Sequence, residues 1–175
     1  MLRKTWKAAA CVAALCSTLA LAQSRDRITR EVRHELATLP YYGVFDDLSY
    51  RVDGSTVTLM GEVTRPTLKS EAERAVKDIE GVTRVVNNVE VLPLSSMDDQ
   101  TRLAVYRAVY GFSSLERYAM QANPSIHIIV RNGNVTLTGV VANEGDREAA
   151  GIRANSVSGV FSVKNELRLD TERRG

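Results

Sequence analysis

Histidine is the side chain best suited to moving protons or holding a metal near neutral pH, and this chain has two, His34 and His127. A zinc site needs three or four ligands at helical or hairpin spacing, and neither histidine has a partner so placed. His34 sits between Arg33 and Glu35, which predicts a solvated residue. His127 alternates with Ile126 and Ile128, which turns it away from a core. There is no G-x-S-x-G elbow, no phosphate-cradling loop and no G-x-G-x-x-G. The acids of "KSEAERAVKDIEG" (69–81) interleave with Lys69, Arg74 and Lys77, the composition of a solvent-facing helix. These residues predict no enzyme, no metal and no cofactor. Binding chemistry remains. Leu103, Tyr106 and Tyr110 fall at i, i+3 and i+7, with Arg107, Phe112 and Arg117 close by. Tyrosine joins an apolar ring to a polar tip, and beside arginine it suits the headgroup layer of an anionic membrane.

The surroundings narrow the setting. Arg3, Lys4 and Lys7 precede an apolar run from Ala8 to Leu21, and "ALA" at 20–22 closes it. That pattern predicts a secretory signal over 1–22 and a mature start at Gln23, with a periplasmic destination. The run is too short to be a stable transmembrane helix. Both cysteines, Cys11 and Cys16, lie inside it, and neither is placed as a lipidation site. Of 23 Lys/Arg and 21 Asp/Glu in 175 residues, three basic residues and no acid belong to the signal. The remainder is near neutral, which argues against nucleic acid as a partner.

The elements that must position these residues occur twice. Shifting the sequence by 78 aligns 52–91 with 130–169 without a gap, and eleven of the 40 positions are identical, Val57/Val135, Leu59/Leu137, Gly61/Gly139, Gly81/Gly159 and Asn87/Asn165 among them. Such self-similarity marks a repeat. Upstream the offset is 73, so the second copy carries five extra residues within 113–125. Each copy reads as a helix (Ile28, Val32, Leu36, Leu39; then Val105, Val109, Phe112), two alternating strands around "DGST" or "RNGN", a second helix stopping at Gly81 or Gly159, and a last strand. The fold class is α+β: two tandem αββαβ domains, each a three-stranded mixed sheet with two helices on one face. The predicted divisions are a first domain over 23–92, a linker over 93–97, a second domain over 98–170 and a tail over 171–175. Gly61 and Gly139 read as scaffold, at a bulge or where a helix approaches the sheet. Asn87 and Asn165, polar in an apolar series, read as buried clamps bonded to backbone.

The pattern V-x(4)-V-T-L-x-G-x-V, then about 17 residues to G-V and then V-x-N, resembles the BON domain family, and it occurs twice behind the signal. The resemblance implies a non-catalytic periplasmic or envelope-associated module. It also implies a link to osmotic and envelope stress, and some two-domain members bind anionic phospholipid.

The copies differ in a way the shared pattern does not explain. Arg30, Glu31 and Arg33 of the first helix become Leu103, Ala104 and Tyr106, and Ala37 becomes Tyr110. Glu71, Glu73 and Arg74 become Ala149, Gly151 and Ile152. An added apolar face is normally covered. The first copy, a protein partner or self-association, and a membrane surface are the three candidate covers. The leading expectation is peripheral contact with anionic phospholipid through Leu103, Tyr106, Arg107, Tyr110, Phe112 and Arg117; the alternative is a protein-interaction or chaperone-like envelope module using the same face.

Overall fold

The structure is a computed structural model that describes residues 23–120 and 124–173. The predicted signal, with both cysteines, lies outside the described residues.

In each copy a hydrophobic helix stripe and alternating strands leave one way to bury both. Helix α1 (23–37) turns Ile28, Val32 and Leu36 inward onto strands β1 (Asp47–Asp53), β2 (Thr56–Val63) and β3 (Arg84–Val91). Helix α2 (Pro66–Lys77) adds Leu68, Ala72 and Val76 to the same core. The second copy repeats the order with α3 (Ser96–Tyr110), β4 (Ile126–Arg131), β5 (Asn134–Val141), α4 (Glu144–Asn155), β6 (Ser162–Asn165) and β7 (Arg168–Leu169). Both sheets are mixed: β1 and β4 run antiparallel to β2 and β5, which run parallel to β3 and β6. Register is conserved too, since Leu48 faces Gly61 as Ile126 faces Gly139. No helix among the described residues is long and apolar enough to cross a membrane.

Several details depart from the sequence reading. The second helix ends at Lys77 or Asn155, not at the glycine. Gly81 and Gly159 lie in the following turn with φ of 92° and 90°. Leu39 and Phe112 fall beyond the first helices. Helix α3 begins inside the expected linker because Ser95 caps it by accepting from the Asp98 amide. The last strand of the second copy is broken into β6 and β7, yet both keep the register of β3 against β2.

The repeated glycines have a backbone cause. Gly61 and Gly139 have φ of 120° and 117°, and a Cβ there would meet the carbonyl oxygens of Asp47 and Ser125 at 2.2 and 2.0 Å. The close neighbour is therefore the adjoining strand rather than a helix. The asparagines do clamp backbone, although Asn87 is half-buried and Asn165 exposed. Asn87 Nδ2 donates to Lys69 O at 2.9 Å and Asn165 Nδ2 to Arg147 O at 2.7 Å. Their Oδ1 atoms accept from Val89 N and Leu167 N. Each amide thus ties the last strand to the helix that precedes it.

Candidate functional site

Helix α3 positions most of the expected surface, and the structure divides it. Tyr110 is only 5% exposed and belongs to the second core. Its hydroxyl donates to Ile126 O at 2.5 Å, and burial raises its pKa above the ordinary tyrosine value. Tyr106 is half-buried, its ring 4.9 Å from that of Tyr110 and 6.2 Å from Phe45 of the first copy. Phe112 lies under the Arg153 guanidinium, 4.0 Å from the ring centre. Arg117 is bonded to Asp146 and to the Tyr118 hydroxyl. Leu103 and Arg107 alone of the six are exposed without being drawn into these contacts. Ile152 on α4 is exposed as well.

The stretch that holds the five extra residues, 113–125, contains Arg117. It forms a 3-10 turn, Glu116–Tyr118, whose Arg117 and Tyr118 side chains reach the start of α4. There Asp146, 78 residues after the buried Leu68, is itself buried. A buried carboxylate requires compensating partners. Asp146 accepts from the Tyr118 hydroxyl at 2.6 Å and from Asn143 Nδ2 at 3.0 Å, as well as from Arg117. Tyr118 also accepts from Ala142 N at 2.8 Å. In the first copy the corresponding amide, Thr64 N, is bonded by Asp46 Oδ1 at 2.7 Å. One strand-end donor is satisfied by two unrelated devices.

The first copy covers part of the second. Residues 42–45, between α1 and β1, lie along the outer edge of β4. Val44 O accepts from Ile128 N at 2.8 Å, His127 Nδ1 sits 3.3 Å from Gly43 O, and the Tyr42 and His127 rings are 5.5 Å apart. Val44 and Phe45 pack onto the second core. Arg131 reaches back to Glu62 at 2.5 Å and Glu90 at 2.7 Å. An edge strand is a liability unless covered, and here a segment of the other copy covers it.

Beside this contact lies a cleft of about 780 Å³, bounded by α1 and β1 on one side and by Ser125, His127 and the end of β5 on the other. Its charges are mixed: Arg33 and Arg168 against Asp47 and Glu166. Burial raises the Asp47 pKa, while His127 and Arg168 pull it down. Alternation with Ile126 and Ile128 marks His127 as outward but cannot reveal the inter-copy contact with Tyr42 and Gly43 that receives it. Among the described residues no cluster of three or more His, Cys, Asp or Glu could hold a metal ion.

Comparison with known proteins bears on most of the chain. The family model described as BON domain matches residues 24–93 and 113–171. The chain is 31% identical over 127 residues to osmotically-inducible protein Y of Escherichia coli (strain K12), a match covering 70% of this chain and 61% of that protein. The chain thus matches less than two thirds of that relative's length. A solved structure of CdsD, a structural protein of the type III secretion system of Chlamydia trachomatis, aligns with a TM-score of 0.31 at 14% identity, covering 85% of this chain and 95% of that one. Its C-terminal domain aligns with a TM-score of 0.28 at 16% identity, over 80% and 96% of the respective chains.

Proposed function

The chain belongs to the BON domain family, and on that premise we propose that it is a non-catalytic binding module of the bacterial periplasm that contacts anionic phospholipid at the envelope under osmotic stress. The osmotic part of this reading is supported by the name of its E. coli relative. The lipid part is carried by one observation. Leu103 is 47% exposed and Ile152 68% exposed, at positions where the first copy has Arg30 and Arg74. Arg107 and Arg153 stand on the same two helices. Apolar side chains interspersed with arginine suit insertion at an anionic headgroup layer. Tyr106 and Tyr110 leave the contact set, because one is covered by Phe45 and the other belongs to the core.

Co-sedimentation with vesicles tests this reading. The full mature chain is expected to pellet with anionic vesicles and not with zwitterionic ones, and a Leu103→Glu/Ile152→Glu variant is expected to stay in solution. Equal binding to both vesicle types, or no loss in the variant, would contradict it.

A further inference from the structure

The first copy covers more of the second than the 42–45 contact. Residues alternate along a strand, so His127, Ile129 and Arg131 share the face of β4 that turns away from its own core. The first copy holds both outer members, His127 through Tyr42 and Gly43 and Arg131 through Glu62 and Glu90. Ile129, between them, is 2% exposed yet belongs to neither core, and it shares a small cavity with Glu62. It is therefore buried beneath the first copy. The counterparts on β1 are Ser49, Arg51 and Asp53, all exposed. The second copy has an apolar seal and a cationic latch where the first has an open polar row.

That docking withholds part of the proposed lipid surface. Leu103 and Tyr106 are three residues apart on α3, so they take neighbouring positions on one side of the helix. Leu103 is 47% exposed, whereas Tyr106 lies against Phe45 of the first copy. Departure of the first copy would return Tyr106 to the surface beside Leu103 and would uncover Phe45 as well. Aromatic rings of this kind settle at the headgroup layer. The joint for such a movement is short and exposed: Pro93 and Leu94 stand between the Leu92 N bond to Val63 O and the Ser95 cap of α3. A few residues at the ends of elements suffice as a hinge.

We infer that the first copy is an autoinhibitory cover on the lipid-binding surface of the second, held by Ile129 and Arg131 and displaced when that surface meets an anionic membrane. The inference rests on the lipid reading above and adds its regulation. In the free chain the docked form prevails, because opening exposes Ile129 to water and separates Arg131 from two carboxylates. A membrane shifts the balance only through contacts that the open form alone makes, and these are Tyr106 and Phe45. The apparent affinity of the chain is then lowered by the fraction of molecules that are open.

Vesicles of phosphatidylglycerol and phosphatidylcholine in equal parts, titrated against the full mature chain and two altered forms of it, provide the test. Ile129→Gln/Arg131→Gln removes the seal and the latch. It is expected to bind at least about fivefold tighter than wild type, although it has lost a positive charge that would favour an anionic surface. Hydrogen exchange checks its state: the Ile128 amide should lose protection while the core amide of Leu137 keeps it. Residues 23–175 contain no cysteine, so Glu62→Cys/Arg131→Cys joined by a short bismaleimide locks the copies together. The linked form is expected to bind at least about fivefold more weakly than its unlinked form. A protected Ile128 amide in the first variant, vesicle affinity no tighter than wild type, or equal binding of linked and unlinked chains would each overturn the inference. Where Leu103→Glu/Ile152→Glu still abolishes binding, the lipid reading survives that failure.

Discussion

The second copy has a closed edge and a polar core corner; the first has an open edge and an apolar core corner. Both sit on one backbone plan. Leu68 and Asp146 make the contrast concrete, because they occupy the same place on the second helix and both are buried. One simply removes apolar surface from water. The other needs Arg117, Tyr118 and Asn143 around it. The same division governs the edges, where the Tyr110 and Arg102 side chains and residues 42–45 bond β4, while the first copy has Ala37 and Thr29 at the places of those two side chains. Duplication has preserved what backbone geometry requires and released the side chains around it.

The largest expected effect comes from exchanging the contrasting pair. Leu68→Asp buries a carboxylate where the first copy has no counterpart of Arg117 or Tyr118, and should cost about 4 kcal/mol or more. Asp146→Leu should cost about 2 kcal/mol, because half-exposed Arg117 can regain water. Urea denaturation measures both, and equal costs would break the comparison. A shared position should show symmetry instead. Gly61→Ala and Gly139→Ala each drive a Cβ into a strand carbonyl at a positive φ, and each should cost on the order of 3 kcal/mol. A large inequality between them would show that the scaffold is not used alike.

The smallest effect concerns Asp47, at the cleft between the copies. Burial raises its native pKa, so the native state holds that proton more tightly than the unfolded chain does. Its contribution to stability therefore falls as pH rises from the ordinary carboxylate value, near 4, through the raised native one. Asp47→Asn removes this decline, so the variant should gain stability relative to wild type as pH rises across that window. Denaturation midpoints measured from pH 4 to 7 check the sign. A variant that loses ground with rising pH would assign Asp47 a net stabilising role through His127 and Arg168.

Much of the scaffold was legible because repetition separated requirement from accident. The recurrence of Gly61 as Gly139 and of Asn87 as Asn165 marked them as structural before any contact was known. Their partners were not legible. The glycine yields to a strand carbonyl, and the asparagine reaches a helix carbonyl 18 residues back. The helical spacing of Leu103, Tyr106 and Tyr110 suggested one added apolar stripe, but the structure divides it, with Tyr110 in the core, Tyr106 half-buried and Leu103 exposed, because spacing cannot say what lies over a helix. Phe45 covers Tyr106 through a docking of copies that depends on 42–45, a short segment without periodicity. Asp146 was hidden for a related reason, since an acid in the first turn of a helix usually faces water and favours the helix dipole. Two of its partners, Arg117 and Tyr118, come from 113–125, the stretch that holds the five extra residues, and the third, Asn143, stands where the first copy has Arg65.

The contrast between the edges rests on two backbone amides 78 residues apart. Ile128 N–H is bonded to Val44 O, whereas among the described residues Tyr50 N–H has no such partner, and Tyr50 lines the cleft. Residue-resolved hydrogen exchange on the free mature chain compares them directly. The expected result is an Ile128 amide protected like the surrounding core and a Tyr50 amide exchanging at least about a hundredfold faster, as for a site open without unfolding. Equal protection of the two amides would mean that both edges are sealed, and would contradict the account.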